Sequence, residues 1–228
     1  MKSFKEIKKT SREQLRNNWK IPVLFSLIFV LLTKIDSSLS NGSLVITLTT
    51  LVLSFYITKV TINIAMDNKD GSIKVPARHM LRTIGLGIIY AILYFIINMV
   101  SLLGLGYLLS TALSSGIMLI ISTIVAVLMM VALLFIDIIV VSYVSFSTYL
   151  IYSKDCKIFE SIKLTFKYLK GNFVKTAWLV ITFVPWILLG VITLGIGFAY
   201  VMPYLEIAFT NYCIELEGNF KNDQPCLA

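Results

Sequence analysis

The chain alternates short basic stretches with long apolar ones. In residues 2–20, Phe4, Ile7, Ser11, Leu15 and Trp19 recur at three- and four-residue spacing. That spacing places them on one face of a helix. Lys2, Lys5, Lys8, Lys9, Arg12, Arg16 and Lys20 make the rest of the stretch basic. A helix with one apolar and one basic face suits the membrane surface better than a solvated tail does, so an interfacial helix is predicted over 3–18. A second is predicted over 156–170. There Ile158, Phe159, Ile162, Phe166 and Leu169 share a face, with Lys157, Glu160, Lys163, Lys167 and Lys170 mainly opposite. Gly171 can end that helix.

Between and after these stretches lie apolar runs at about 22–33, 44–65, 84–103, 117–152, 173–193 and 198–217. A membrane-crossing helix needs about 20 such residues. Six spans are therefore expected, joined by loops at 34–43, 66–82 and 194–197 and by a short loop or re-entrant piece at 104–116. A signal peptide ending near Ser38-Leu39-Ser40 is an alternative for the first run, but the preceding basic stretch is long for that role. The run 117–152 would reach about 53 Å as a helix, against a hydrocarbon core of about 30 Å. Its only interruption, Leu134-Phe135-Ile136-Asp137, is a poor turn, so one long helix is predicted. Pro185 and Pro203 fall inside spans and are expected to kink them.

Composition supports the same class. Of 228 residues, 57% are hydrophobic and 14% charged, and the mean hydropathy is +0.86. A soluble domain carries about 25% charged residues, so a soluble fold is excluded. The apolar runs are too long and continuous for barrel strands. One all-α polytopic membrane domain is expected over 1–228, a transmembrane helix bundle with two interfacial helices. The formal net charge is +8, and 18 of the 20 basic residues fall in the N-terminal stretch, 66–82, 153–175 and the tail. Positive residues stay on the cytoplasmic side, which puts both termini in the cytoplasm of a multi-pass cell-membrane protein. Cys156, Cys213 and Cys226 lack CxxC spacing, and neither a disulfide framework nor a zinc site is expected.

Charges within spans are costly and usually face the bundle interior. Asp137, Glu206 and Lys59 are the candidates, with the amides of Asn63 and Asn98 beside them. Together they suggest a polar pocket for an ion, a proton or a headgroup, as in a small transporter. The competing reading makes the carboxylates structural. Function then falls to the basic helices and outer loops, in an accessory, binding or immunity protein. Lys157, Lys163, Lys167, Lys170, Arg12 and Arg16 are the candidate contacts to anionic lipid headgroups. Membrane lipids are the expected partners, with an unidentified protein or small ligand besides, and no nucleic acid. No enzyme activity, cofactor or metal is expected, since His79 is the only histidine and neither GxSxG nor HExxH occurs.

Two longer strings carry a resemblance. Residues 159–171 read FESIKLTFKYLKG, and 183–204 read FVPWILLGVITLGIGFAYVMPY. A surface helix ending in Lys-Gly, then Trp, Thr-Leu-Gly-Ile-Gly and Pro-Tyr, is similar to an uncharacterised integral-membrane family of Gram-positive bacteria. That family is catalogued as a domain of unknown function, number nine hundred and seventy-five. The resemblance implies a multi-span protein throughout and supplies no activity or catalytic residues. A shift of 155 residues also aligns Phe4, Ile7, Lys8, Arg12 and Asn17 with Phe159, Ile162, Lys163, Lys167 and Asn172. Chance and a parallel repeat both account for this alignment.

Overall fold

The computed structural model describes residues 3–38, 44–68, 74–112 and 116–220. Its helices are α1 (Phe4–Asn17), α2 (Lys20–Ser38), α3 (Leu44–Ala65), α4 (Ala77–Ala112), α5 (Gly116–Lys154), α6 (Ile158–Leu169), α7 (Phe173–Ile181), α8 (Val184–Ile192) and α9 (Phe198–Gly218). The all-α bundle is as expected. Four helices or helix pairs are long and apolar enough to cross a membrane: Val45–Ala65, Ala77–Gly104, Ile120–Lys154 and Phe173–Ile192. Up to five qualify if α1 and α2, bent by 90°, count as one span, where the sequence pattern predicts six.

The differences have local causes. Residues 34–38 continue α2 instead of opening a loop, while 39–43 lie outside the described residues. The loop or re-entrant piece expected at 104–116 is helical through Ala112, where Leu102, Leu103, Leu105, Leu108 and Leu109, all good helix formers, offset Gly104 and Gly106. The connection expected through 82 gives way to α4 at Ala77, directly after Pro76, which suits a helix start. The run 117–152 is indeed one helix, 39 residues long. The span expected at 173–193 breaks after Ile181, and Pro185 lies in the first turn of α8. In that position proline starts a helix instead of kinking one.

The last helix sets the packing. Eleven of the 21 residues of α9 are buried, from Ala199 to Leu216. It contacts α1, α2, α3, α5 and α8. Glu206, Thr210, Asn211 and three tyrosines lower its hydropathy, and it fails the test for a candidate span. A helix enclosed by other helices needs no apolar outer face, so burial in protein resolves that apparent contradiction. The opposite case is the hairpin of α4 and α5. Its apolar windows are only 6% buried, and Ile88, Phe95, Val100, Ile120 and Leu128 stand exposed. This surface matches a hydrocarbon solvent.

Two features define the ends of the bundle. At one, the α8–α9 turn places Leu194 and Gly195 at positive φ (54° and 91°), and Lys34 of α2 donates to the Leu194 carbonyl. Gly197 allows the close return. A Cβ there would lie 2.5 Å from Thr193 Oγ1 and 3.1 Å from Gly190 Cα. At the other, basic end, the start of α4, the end of α5, α6 and the end of α9 converge. Lys154 pairs with Glu217 at 2.8 Å, and Tyr149 donates to the same carboxylate at 2.8 Å.

The two amphipathic helices are docked onto protein more than expected. α1 buries Ile7, Ser11 and Leu15. Asn211 Nδ2 of α9 donates to Ser11 Oγ at 2.8 Å and to Gln14 Oε1 at 2.7 Å. α6 turns Ser161, Thr165, Tyr168 and Leu169 inward, while Phe159 and Phe166 of the face expected to meet the membrane stand 80% and 57% exposed. The cysteine expectation is corrected at Cys156, which is disulfide-bonded. Cys213 is a buried free thiol, and Cys226 lies outside the described residues.

Replacing Asn211 by Ala removes both hydrogen bonds to α1. Each typically contributes about 0.5–1.5 kcal/mol. Limited proteolysis of the detergent-solubilised protein should cut α1 markedly faster in Asn211→Ala, with cleavage elsewhere unchanged. Equal rates would show that apolar packing alone holds α1.

Candidate functional site

The intramembrane candidates do not form one pocket. Helix α3 holds three polar side chains at alternate positions. Thr61 faces α9, where its Oγ1 donates to Glu206 Oε2 at 2.7 Å. Thr61 is fully buried and Glu206 half-buried, and this contact gives one Glu206 oxygen a protein partner. Lys59 and Asn63, one turn apart, lie on a different side of α3. The Lys59 ammonium sits 5.9 Å from the Tyr152 ring centre. Asn63 faces a notch beside α1 and α2. Asp137 lies fifteen residues before Tyr152 on α5, about 22 Å away along the axis. It makes no hydrogen bond or ion pair among the described residues, and none of the described cavities contains it or Glu206. Asn98 is exposed on α4 and bonds back to Tyr94 O at 2.9 Å.

The basic end carries a cluster that periodicity does not reveal. His79 is 6% exposed, and its ring packs edge-on to Tyr152 at 5.5 Å. His79 Nε2 lies 3.0 Å from Asp155 Oδ1, and the guanidinium of Arg82 lies 2.6 Å from the same oxygen. Arg82 also donates to the backbone carbonyls of Asp155 and Cys156. Arg78 holds Asp155 Oδ2 at 3.2 Å. The first turns of α4 contain Arg78, His79 and Arg82 and no acid. Cations are unfavourable at a helix N-terminus, so that end calls for an anion from elsewhere. Asp155 supplies it from the α5–α6 link, in the left-handed region at φ 55°. Desolvation opposes its ionisation. The hydrogen bond from His79 and the charges of Arg78 and Arg82 nevertheless hold the carboxyl below the usual carboxylate range. Three basic residues opening a helix and one isolated acid beyond the next span were the available signal.

The lysines of α6 line a different feature. A groove of about 680 Å³ lies between α5, α6 and α7. Tyr143, Phe166 and Phe173 form its aromatic wall, with centroid separations of 4.5 Å (Tyr143–Phe166) and 5.9 Å (Tyr143–Phe173). Lys163, Lys167 and Lys170 stand around it, and Glu160 is the one acid in its lining. Lys157 lies outside the groove, at the cap of α6. On α1, Arg12 and Arg16 line a separate basic groove with Lys5, Lys8, Lys9 and Glu13. Arg12 stacks over Trp186 at 5.5 Å, and Lys8 donates to Thr182 O at 2.9 Å. These two side chains tie α1 to the α7–α8 break as well as presenting charge.

The family model described as a protein of unknown function (DUF975) matches residues 1–219, and the chain belongs to that family. No curated protein and no solved structure matches the chain.

Asp155 anchors the α4–α5 end through a carboxyl whose folded-state pKa is depressed. Such a group stabilises the fold above its unfolded pKa, near 4, and that stabilisation is lost as pH falls through the lower folded value. In thermal melts, Asp155→Asn should lower the transition at pH 6 to 7. The gap to the unsubstituted protein should close as pH drops below about 4, where the carboxyl begins to protonate. A gap that persists unchanged to pH 3 would assign the effect to shape instead of charge.

Proposed function

We propose that this chain is a non-enzymatic multi-pass protein of the cytoplasmic membrane that holds anionic lipid headgroups at its basic end. The observation that carries this reading is the groove between α5, α6 and α7. Lysines 163, 167 and 170 surround it, and it is walled by Tyr143, Phe166 and Phe173. A lysine rim offers point charges to a phosphate, and an aromatic wall accepts the glycerol and upper acyl region beside it. Phe159, 80% exposed next to these lysines, adds an aromatic anchor at headgroup depth. The transport reading is less well supported, because Glu206 is bonded to Thr61 and Asp137 stands apart from it.

The basic end faces the cytoplasm in this reading, on the strength of 18 clustered basic residues. The Cys156 disulfide at that end argues for an oxidising compartment instead, and the broader charge asymmetry outweighs one bond. In a chain with its cysteines replaced by serine, a cysteine at Leu194 should react with an impermeant reagent on intact cells. One at Lys157 should react only after permeabilisation. The reverse pattern would invert the orientation.

Lipid titration of the purified full-length chain tests the groove. It should retain anionic phosphatidylglycerol over phosphatidylcholine of the same acyl chains. Each of Lys163→Gln and Lys170→Gln should weaken that binding about fivefold, as expected for about 1 kcal/mol per lysine near a membrane surface. The preference should shrink at high salt. Equal retention of the two lipids, or variants that bind unchanged, would remove the proposal.

A further inference from the structure

A second cavity, of about 490 Å³, opens where α1 and α2 meet at their 90° bend, against the end of α3. Its polar lining comes from Asn17, Asn18, Lys20, Asn63 and Asp67, with Trp19 at the edge. Asn63 is 9% exposed, and its carboxamide makes no hydrogen bond among the described residues. A carboxamide offers two donors and an acceptor, and here they stay available to whatever enters the cavity that Asn63 lines. Asn63 is therefore a polar group aimed into a prepared space.

The charges around that space have two poles. Lys20 opens α2, where Pro22 has no N–H and Val23 N donates to Trp19 O at 3.0 Å, so the Lys20 ammonium and the N–H groups of Lys20 and Ile21 make this side positive. Asp67 follows α3, at φ 52°, beside the carbonyl-bearing negative end of that helix. Both side chains line the notch, and no ion pair joins them. A purely anionic ligand would meet Asp67 and a purely cationic one would meet Lys20. A ligand with both charges, separated by a short link, meets complementary groups at each pole. The apolar flank indicates its source. Trp19 (50% exposed), Ile21 (43%) and Leu24 (54%) continue from the notch along α2, a track suited to an acyl chain.

We infer that the notch binds the head of a zwitterionic phospholipid with a primary ammonium, a phosphoethanolamine head. Its phosphate lies against Lys20 and the start of α2. Its ammonium donates to Asp67 and the end of α3. The amides of Asn17, Asn18 and Asn63 span the link between them. A quaternary choline head has the same net charge but no N–H to donate, so the site discriminates by hydrogen bonding instead of by charge. This site is separate from the anionic groove on α6 and does not depend on it.

The test uses the full-length protein in detergent, with native mass spectrometry to count bound lipid. Phosphatidylethanolamine and phosphatidylcholine of identical chains are the probes. Phosphatidylethanolamine should bind about tenfold tighter, the effect of one or two charge-assisted hydrogen bonds. Asp67→Asn, at an exposed position, should bring the two lipids to equal affinity. Asn63→Ala should weaken phosphatidylethanolamine with no change in the melting temperature. Soluble phosphoethanolamine should displace the lipid better than phosphocholine does. Lys163→Gln should leave the ratio intact while lowering phosphatidylglycerol binding, which keeps the two sites distinguishable. Equal affinity for both lipids in the unsubstituted protein, a ratio unchanged in Asp67→Asn, or equal displacement by the two soluble heads would each overturn the assignment.

Discussion

The structure depends on enclosing α9 while leaving none of its buried polar groups unpaired. In a membrane, apolar contact between helices has little advantage over contact with lipid, so packing detail and hydrogen bonds must decide which helices associate. Four polar residues of α9 meet four different neighbours. Glu206 bonds to Thr61 of α3, and Asn211 to Ser11 and Gln14 of α1. Tyr212 pairs with Thr176 of α7 at 2.9 Å, and Glu217 with Tyr149 and Lys154 of α5. These contacts orient the surrounding helices as well as holding them. A rotated α9 would leave several buried groups unsatisfied at once.

That arrangement divides the molecule. Around α9 the packing is aromatic and close: Phe183, Tyr204 and Trp186 meet edge to face at 5.2 and 5.6 Å. Away from it, the parts of α4 and α5 that leave the core pack on each other and otherwise stand exposed. Of their polar outliers, Asn98 donates to Tyr94 O of its own helix, while Asp137 makes no hydrogen bond or ion pair among the described residues. Side-chain chemistry therefore concentrates at the basic end, where α3 finishes, α4 starts and the α5–α6 link turns. The His79–Asp155–Arg82 cluster, the α6 groove and the α1–α3 notch all lie around these element ends. A bilayer confines irregular backbone and unpaired charge to such places.

The sequence showed the helices more clearly than their surroundings. Apolar length alone located α3, α5 and α9, and the absence of a turn at Leu134–Asp137 correctly implied one long α5. Helix ends were less legible, because glycine and serine permit both a loop and a helix, as at 104–112 and 34–38. Run length alone does not tell that α9 is enclosed by protein while α4 is largely exposed; the lower hydropathy of α9, from Glu206, Thr210, Asn211 and its tyrosines, was the signal. Pairing was the least legible. Lys59 with Tyr152, His79 with Asp155 and Glu206 with Thr61 each join residues far apart in the chain, and only packing brings them together.

The two amphipathic helices each carry a protein-facing seam that residue type alone does not single out. Aligned by residue type, they match at a shift of 155, which sets Lys8 on Lys163 and Arg12 on Lys167. Aligned by burial, they match at 154: Ile7, Ser11 and Leu15 of α1 correspond to Ser161, Thr165 and Leu169 of α6. The central hydroxyl then plays one part in both. Ser11 donates to Ile7 O at 2.7 Å and accepts from Asn211, while Thr165 donates to Ser161 O at 2.7 Å and pairs with Ser147 at 2.9 Å. A small hydroxyl that returns its proton to its own helix keeps an acceptor free for a neighbour and lets the two backbones approach. One seam docks α1 on α9 and the other docks α6 on α5. Because the buried seam is narrow and partly polar, it does not use up the large apolar residues. On α6 these remain outside beside the lysines, as Phe159 and Phe166. The docking that removes small polar groups from the surface is thus what leaves an aromatic and basic face turned outward.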